Sequence, residues 1–123
     1  MISFVSFKEQ DGIPIYLQIV KYIKSGIVSK SVISGDEVPS RRVLSALLGV
    51  NPNTIQKAYK MLEDEGLMES RSGAKSYLVF DEAAVLKVRQ QLLETDATAI
   101  IGSLKQMGLN KEEALKLIET YWE

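Results

Sequence analysis

The sequence contains no cysteine and no histidine. The first absence excludes a disulfide framework and thiolate chemistry, and fits a reducing compartment. Together the two absences leave only carboxylates to hold a zinc ion, and no compact carboxylate cluster with ligand spacing is visible. The usual general base is missing, so most nucleophilic triads are excluded, and there is no phosphate-cradling glycine motif. No enzyme, metal or cofactor is therefore expected. No run approaches the roughly 18 apolar residues of a membrane span. The opening Met1-Ile2-Ser3-Phe4-Val5-Ser6-Phe7-Lys8 also lacks the basic start and long apolar stretch of a secretory signal. A soluble, cytoplasmic protein with no membrane partner is the expectation.

What is present is ordinary for a globular chain: 46% hydrophobic and 25% charged residues over 123 positions, enough for a packed core in one domain or one domain with an accessory piece. The net charge of -1 argues at first against a nucleic-acid partner. The balance is uneven, however. Residues 1 to 80 carry ten Lys and Arg against eight Asp and Glu, whereas residues 81 to 123 carry five against eight. The small positive excess lies in the first part, and a local patch matters more than a total.

Ile2, Phe4 and Phe7 suggest a short strand or extended arm, whose place in the fold is not readable. Pro14 stands near the first position of a helix, where its missing N–H costs nothing. Ile15, Ile19, Ile23 and Ile27 follow at intervals of four, beside Tyr16 and Val20, and give one apolar stripe that fades near Ser29 to Ser31. Ser34-Gly35-Asp36-Glu37 is turn chemistry, and Val38 before Pro39 is extended. Ser40 then caps a second helix of about two turns, with Val43, Leu44, Leu47 and Leu48 on one side and Gly49 at its end. Asn51 caps a third, with Pro52 first, a stripe of Ile55, Ala58, Tyr59 and Leu62, and Gly66 closing it. Leu67 to Ser70 and Ser76 to Phe80 read as the strands of a two-stranded hairpin with a polar tip at Arg71 to Lys75. A lone hairpin is marginal in water and should pack on the helices. From Asp81 a long helix reaches about Met107, with Val85, Val88, Leu92, Ala99, Ile100 and Leu104 facing inward. Gly108 ends it, and Asn110 with Glu113 forms a capping pair for a last helix presenting Leu115, Ile118 and Trp122.

The fold class is thus mainly α with a small β-hairpin: a winged helix-turn-helix over residues 1 to 80, then a two-helix region over residues 81 to 123. In such a DNA reader the third helix enters the major groove while the second crosses the backbone. Asn53, Thr54, Gln56, Lys57 and Lys60 lie away from the apolar stripe. Asn and Gln can pair with the N6/N7 edge of adenine, which makes Asn53, Gln56 and Asn51 candidate base readers, and Thr54 can meet a thymine methyl or a phosphate. Lys57 and Lys60 suit phosphates, and Arg41 and Arg42 sit where free helical N–H groups also favour one. Ser40 reads first as a cap. Arg71 and Lys75 flank Gly73, whose lack of a side chain would let backbone approach a groove wall.

Pro14-Ile15-Tyr16-Leu17-Gln18-Ile19, Gly35-Asp36-Glu37-Val38-Pro39-Ser40-Arg41-Arg42-Val43-Leu44, Gly49-Val50-Asn51-Pro52-Asn53-Thr54-Ile55-Gln56-Lys57-Ala58-Tyr59 and Leu62-Glu63-Asp64-Glu65-Gly66-Leu67, in that order, closely resemble the GntR family of bacterial regulators. The resemblance covers residues 14 to 80. It implies that Arg42 falls on the DNA-contacting Arg of the second helix, that Asn51, Asn53 and Gln56 fall on recognition-helix contacts, and that Gly73 falls on the wing-tip glycine. Two positions depart from the pattern. Pro52 stands where many relatives have a base-reading Arg, so one guanine contact is lost, and Lys75 replaces a second wing glycine. The short tail resembles the YtrA subfamily, which implies dimerisation through it and repression of ABC-transporter operons.

A 43-residue piece is near the size that needs oligomerisation to be stable. Leu92, Ala99, Ile100, Leu104, Leu115, Ile118 and Trp122 are therefore expected to form a shared homodimer core, rather than to pack back on the winged domain. Glu94, Asp96, Glu112 and Glu113 keep that part off DNA. A two-fold dimer would set two recognition helices in successive major grooves, roughly 34 Å apart, on near-palindromic double-stranded operator DNA. A small-molecule effector has no domain of its own and would have to act at the dimer junction or between tail and winged domain. The alternative reading is a winged-helix adaptor that binds protein and not DNA.

Overall fold

The computed structural model describes residues 1–71 and 75–123. Eight elements follow in order: α1 (Ile15–Ser29), β1 (Glu37–Val38), α2 (Arg41–Leu48), α3 (Pro52–Asp64), β2 (Met68–Arg71), β3 (Lys75–Leu78), α4 (Glu82–Gln106) and α5 (Lys111–Tyr121). The chain divides into two compact units, 1–89 and 90–123, with the boundary inside α4.

In the first unit α1 and α2 both pack on α3. The core is built from the stripes that helical periodicity predicts: Ile19, Val20, Ile23 and Ile27 of α1, and Ile55, Ala58, Tyr59 and Leu62 of α3. Val85 and Val88, at the start of α4, are buried in the same unit. Helix α2 differs from its sequence reading. Leu44 is buried and Leu48 half-buried, but Val43 and Leu47 are exposed, and Ser45 is buried instead. Residues four apart share a line on a helix, so Val43 with Leu47 and Leu44 with Leu48 form two adjacent lines. A two-turn helix resting on α3 along one flank buries one of them.

The hairpin is part of a three-stranded antiparallel sheet in the order β1-β3-β2, not a free pair. Val38 faces Ser76 and Glu37 faces Tyr77, while β2 and β3 pair from Met68 opposite Leu78 to Arg71 opposite Lys75. A third strand answers the marginal stability of an isolated hairpin. The N-terminal arm is not a strand. It is an extended segment that buries Ile2 and Phe4, donates from the Ile2 N–H to the Glu37 carbonyl at 3.1 Å, and stacks Phe4 on Tyr22 at 4.9 Å.

Two joints fix the angle between α2 and α3. Gly49, at φ 69°, ends α2 in the left-handed conformation that glycine adopts without penalty, and its N–H donates to the Ser45 carbonyl at 2.9 Å. The buried Ser45 hydroxyl then donates to the Val50 carbonyl at 2.5 Å, tying the turn shut. At the other end the Tyr59 hydroxyl donates to the Pro39 carbonyl at 2.7 Å, which holds the entry to α2 against α3. Burial pushes the Tyr59 hydroxyl well above its ordinary value, so it stays a donor. Tyr59→Phe leaves that carbonyl buried and unpaired, and is expected to cost about 1–3 kcal/mol. The measure is a lower urea midpoint at unchanged slope. The wild-type stabilisation from a protonated Tyr59 is complete at neutral pH and is lost as pH rises above the ordinary tyrosine value. The variant should lack that alkaline dependence.

In the second unit, Asn110 and Glu113 form a reciprocal capping box at the start of α5. The Asn110 side chain accepts from the Glu113 N–H at 2.9 Å, and the Glu113 carboxylate accepts from the Asn110 N–H at 3.0 Å. A groove of about 560 Å³ runs between the last turns of α4 and the first two turns of α5, walled by Ile100, Ile101, Leu104, Leu115 and Ile118.

Candidate nucleic-acid interface

The third helix presents two unlike sides. Ile55, Ala58, Tyr59 and Leu62 are turned inward, while Asn53, Lys57 and Lys60 are exposed and Thr54 and Gln56 half-buried on the opposite flank. A side chain every 100° makes this division inevitable once the apolar stripe docks on α1 and α2. The start of the rod is set by Asn51, whose side-chain oxygen accepts from the Asn53 N–H at 2.8 Å, with Pro52 first in the helix. Asn51 therefore spends its acceptor on the cap and keeps its amide N–H groups for a ligand.

Ser40 acts as the cap of α2, its hydroxyl oxygen accepting from the Val43 N–H at 3.2 Å. Arg41 and Arg42 follow as the first two helical residues, both exposed. They diverge in use. The Arg41 guanidinium donates to the Gln56 side-chain oxygen, bridging α2 to α3, whereas Arg42 has no ion-pair partner among the described residues. Arg41 and Gln56 also line a small pocket of about 70 Å³, with Ser40, Tyr59, Glu63 and the strand residues Ser70 and Ser76.

Three of the remaining cations, Lys57, Lys60 and Arg71, are held by neighbours. The Lys57 ammonium lies 4.0 Å from the centre of the Tyr16 ring, and Lys60 pairs with Asp64 at 2.9 Å. The Asp64 hydrogen bond and charge hold the exposed Lys60 ammonium above its usual range. On the wing, Arg71 pairs with Glu69 at 2.8 Å and lies over Tyr77 at 4.3 Å, while Lys75 is exposed at the start of β3. Gly73, expected at the wing tip, lies outside the described residues. The spacing of Lys60 and Asp64 is a readable helical pair. Tyr16 and Tyr77 reach their cations only through the fold.

Of the residues expected to form a shared core in the tail, Ile100, Leu104, Leu115 and Ile118 are brought to one groove, which Ile101, Leu109 and Ala114 also line. Leu92, Ala99 and Trp122 are not among its lining residues. Leu92 and Leu104 are half-buried, and the other five are exposed in the single chain, Trp122 by 81%.

Comparison with known proteins agrees with the fold. The profile described as bacterial regulatory proteins, gntR family, matches residues 15–78. The chain is 35% identical over 114 residues to the uncharacterised HTH-type transcriptional regulator YhcF of Bacillus subtilis, covering 93% of this chain and 94% of that one. It is 35% identical over 110 residues to the HTH-type transcriptional repressor YtrA of the same organism, covering 89% and 80%. Among solved structures, a GntR family transcriptional regulator from Listeria monocytogenes is similar at a TM-score of 0.78 and 32% identity, over 91% of this chain and 98% of that one. The DNA-binding domain of AraR, solved in complex with operator ORR3, is similar at 0.51 and 26%, over 58% and 87%. No helix among the described residues is long and apolar enough to cross a membrane.

Proposed function

The chain belongs to the GntR family of bacterial regulatory proteins, and from that premise we propose that it is a repressor gripping a near-palindromic operator as a homodimer. It is a DNA-binding transcriptional regulator and not an enzyme, as its relatives are. The observation that carries the assignment of α3 as the DNA-reading helix is its polar flank, turned away from its own core and bridged to α2 by Arg41.

In this reading residues 1–80 are the reading head and residues 81–123 the dimerisation region. Asn53 and Gln56 reach base edges, with Asn51 and Thr54 at the rim of the contact. Arg42, Lys57, Lys60, Arg71 and Lys75 take phosphates. Repression is favoured by the repressor YtrA among the relatives, and a neighbouring ABC-transporter operon by resemblance to its subfamily. An effector would act at the junction of the two copies, by altering the spacing of the reading heads.

The test is an operator selected from a random duplex pool. Asn53→Ala is expected to weaken binding to it about tenfold per half-site, about a hundredfold in all, and to relax the preference at one base pair of each half-site. Arg42→Ala removes one phosphate contact from each of the two copies, and should weaken all sequences alike and reduce the salt slope by about two. Two variants indistinguishable from wild type would overturn the assignment of these residues, and a wild-type protein indifferent to duplex would leave the adaptor reading in its place.

A further inference from the structure

We propose that Arg41 is a positioning residue that decides which base Gln56 reads, turning it from adenine to guanine. The inference rests on α3 being the recognition helix. A free glutamine pairs with adenine by using both ends of its amide: the oxygen accepts from N6 and the nitrogen donates to N7. Gln56 is not free. It is half-buried, and its side-chain oxygen accepts from the Arg41 guanidinium across the gap between the first turn of α2 and the second turn of α3. Both side chains line one small pocket, Gln56 half-buried and Arg41 exposed at its edge.

That bond changes what the pair offers to DNA. The accepting end of the amide is turned toward α2, and the NH2 end is left for the groove. Arg41 carries five N–H donors and no acceptor, so its unused donors lie beside that NH2. The Gln56 oxygen keeps its second lone pair but is directed toward α2, so Arg41 and Gln56 together present mainly donors to the groove. Guanine meets them with two acceptors, N7 and O6. Adenine would set its N6 amino group against a guanidinium, donor facing donor. Thymine offers one acceptor beside a methyl group, a weaker match. Arg42, with no ion-pair partner among the described residues, is left to hold the backbone phosphate at the start of α2.

The experiment compares operators selected from a random pool by wild type, Arg41→Ala, Arg42→Ala and Gln56→Ala, each checked for folding by circular dichroism. The pair read by Gln56 is the one whose preference disappears in Gln56→Ala. Wild type should hold guanine there, and Arg41→Ala should favour adenine at that pair by about tenfold over guanine, other positions being unchanged. Arg42→Ala should bind more weakly and keep guanine. The proposal is overturned if wild type already prefers adenine at that pair. It is equally overturned if Arg41→Ala weakens every duplex alike and leaves the preference intact, as a pure phosphate contact would. Failure of the recognition-helix reading looks different: wild type itself selects no sequence, before any variant is compared, and the present proposal falls with it.

Discussion

Operator affinity should fall by about four orders of magnitude when salt is raised from about 50 to about 200 mM, a slope of log K against log salt near -7. The figure follows from about four neutralised phosphates per protomer, each contributing roughly 0.9 to the slope on duplex DNA. Arg42, Lys57, Lys60, Arg71 and Lys75 are the cations available for this. Two of them are already paired, Lys60 with Asp64 and Arg71 with Glu69. Those pairs are exposed, and exposed pairs contribute little, so exchanging a carboxylate for a phosphate is cheap. They also keep the free surface near neutral, which fits a chain of net charge -1. The attraction is therefore local, and its loss with salt reflects released counterions rather than long-range steering. Fluorescence anisotropy of a labelled duplex at several salt concentrations measures the slope. A value near zero would contradict a phosphate-bound complex.

What could be read ahead of the fold is what neighbours in sequence decide. Ser40, Asn51 with Pro52, Gly49, and Asn110 with Glu113 each act within a turn of where they stand, and all are found at the helix ends assigned to them. The stripes of α1 and α3 were legible because a buried helix repeats its demand every three or four residues. Glu37 and Val38 gave no such sign. They become a strand only because β3 lies beside them, and two residues carry no periodicity. The exposure of Val43 and Leu47 is likewise set by how much of α2 its neighbours cover. The bridge from Arg41 to Gln56 joins positions fifteen apart. Each of the two could be named as a DNA contact, yet their combination depends on the interhelical angle that Ser45, Gly49 and Tyr59 hold.

The tail sets the other large effect. Replacing Ile118 by Asp is expected to turn the protein into a monomer and to lower affinity for a two-half-site operator by about 10²–10⁴-fold, while binding to a single half-site duplex is unchanged. The reason lies in the second unit taken by itself. It keeps no residue of its own buried, and Ile100, Ile101, Leu115 and Ile118 stand 43% to 55% exposed around one apolar groove. A piece of that size buries little apolar surface alone, and in the proposed homodimer a second copy would supply the missing wall. Placing a carboxylate in that wall leaves a charge without a partner in a dry contact, a far larger penalty than the lost methyl groups. Sedimentation measures the mass. Trp122, the single tryptophan of the chain and 81% exposed, gives a second signal. If it joins the shared core, wild-type emission should shift to the red on dilution, and the Ile118→Asp variant should show the red-shifted spectrum at every concentration. A variant that still grips the full operator like wild type would separate DNA binding from pairing. The two reading heads would then act one at a time, and the operator would have no need of two-fold symmetry.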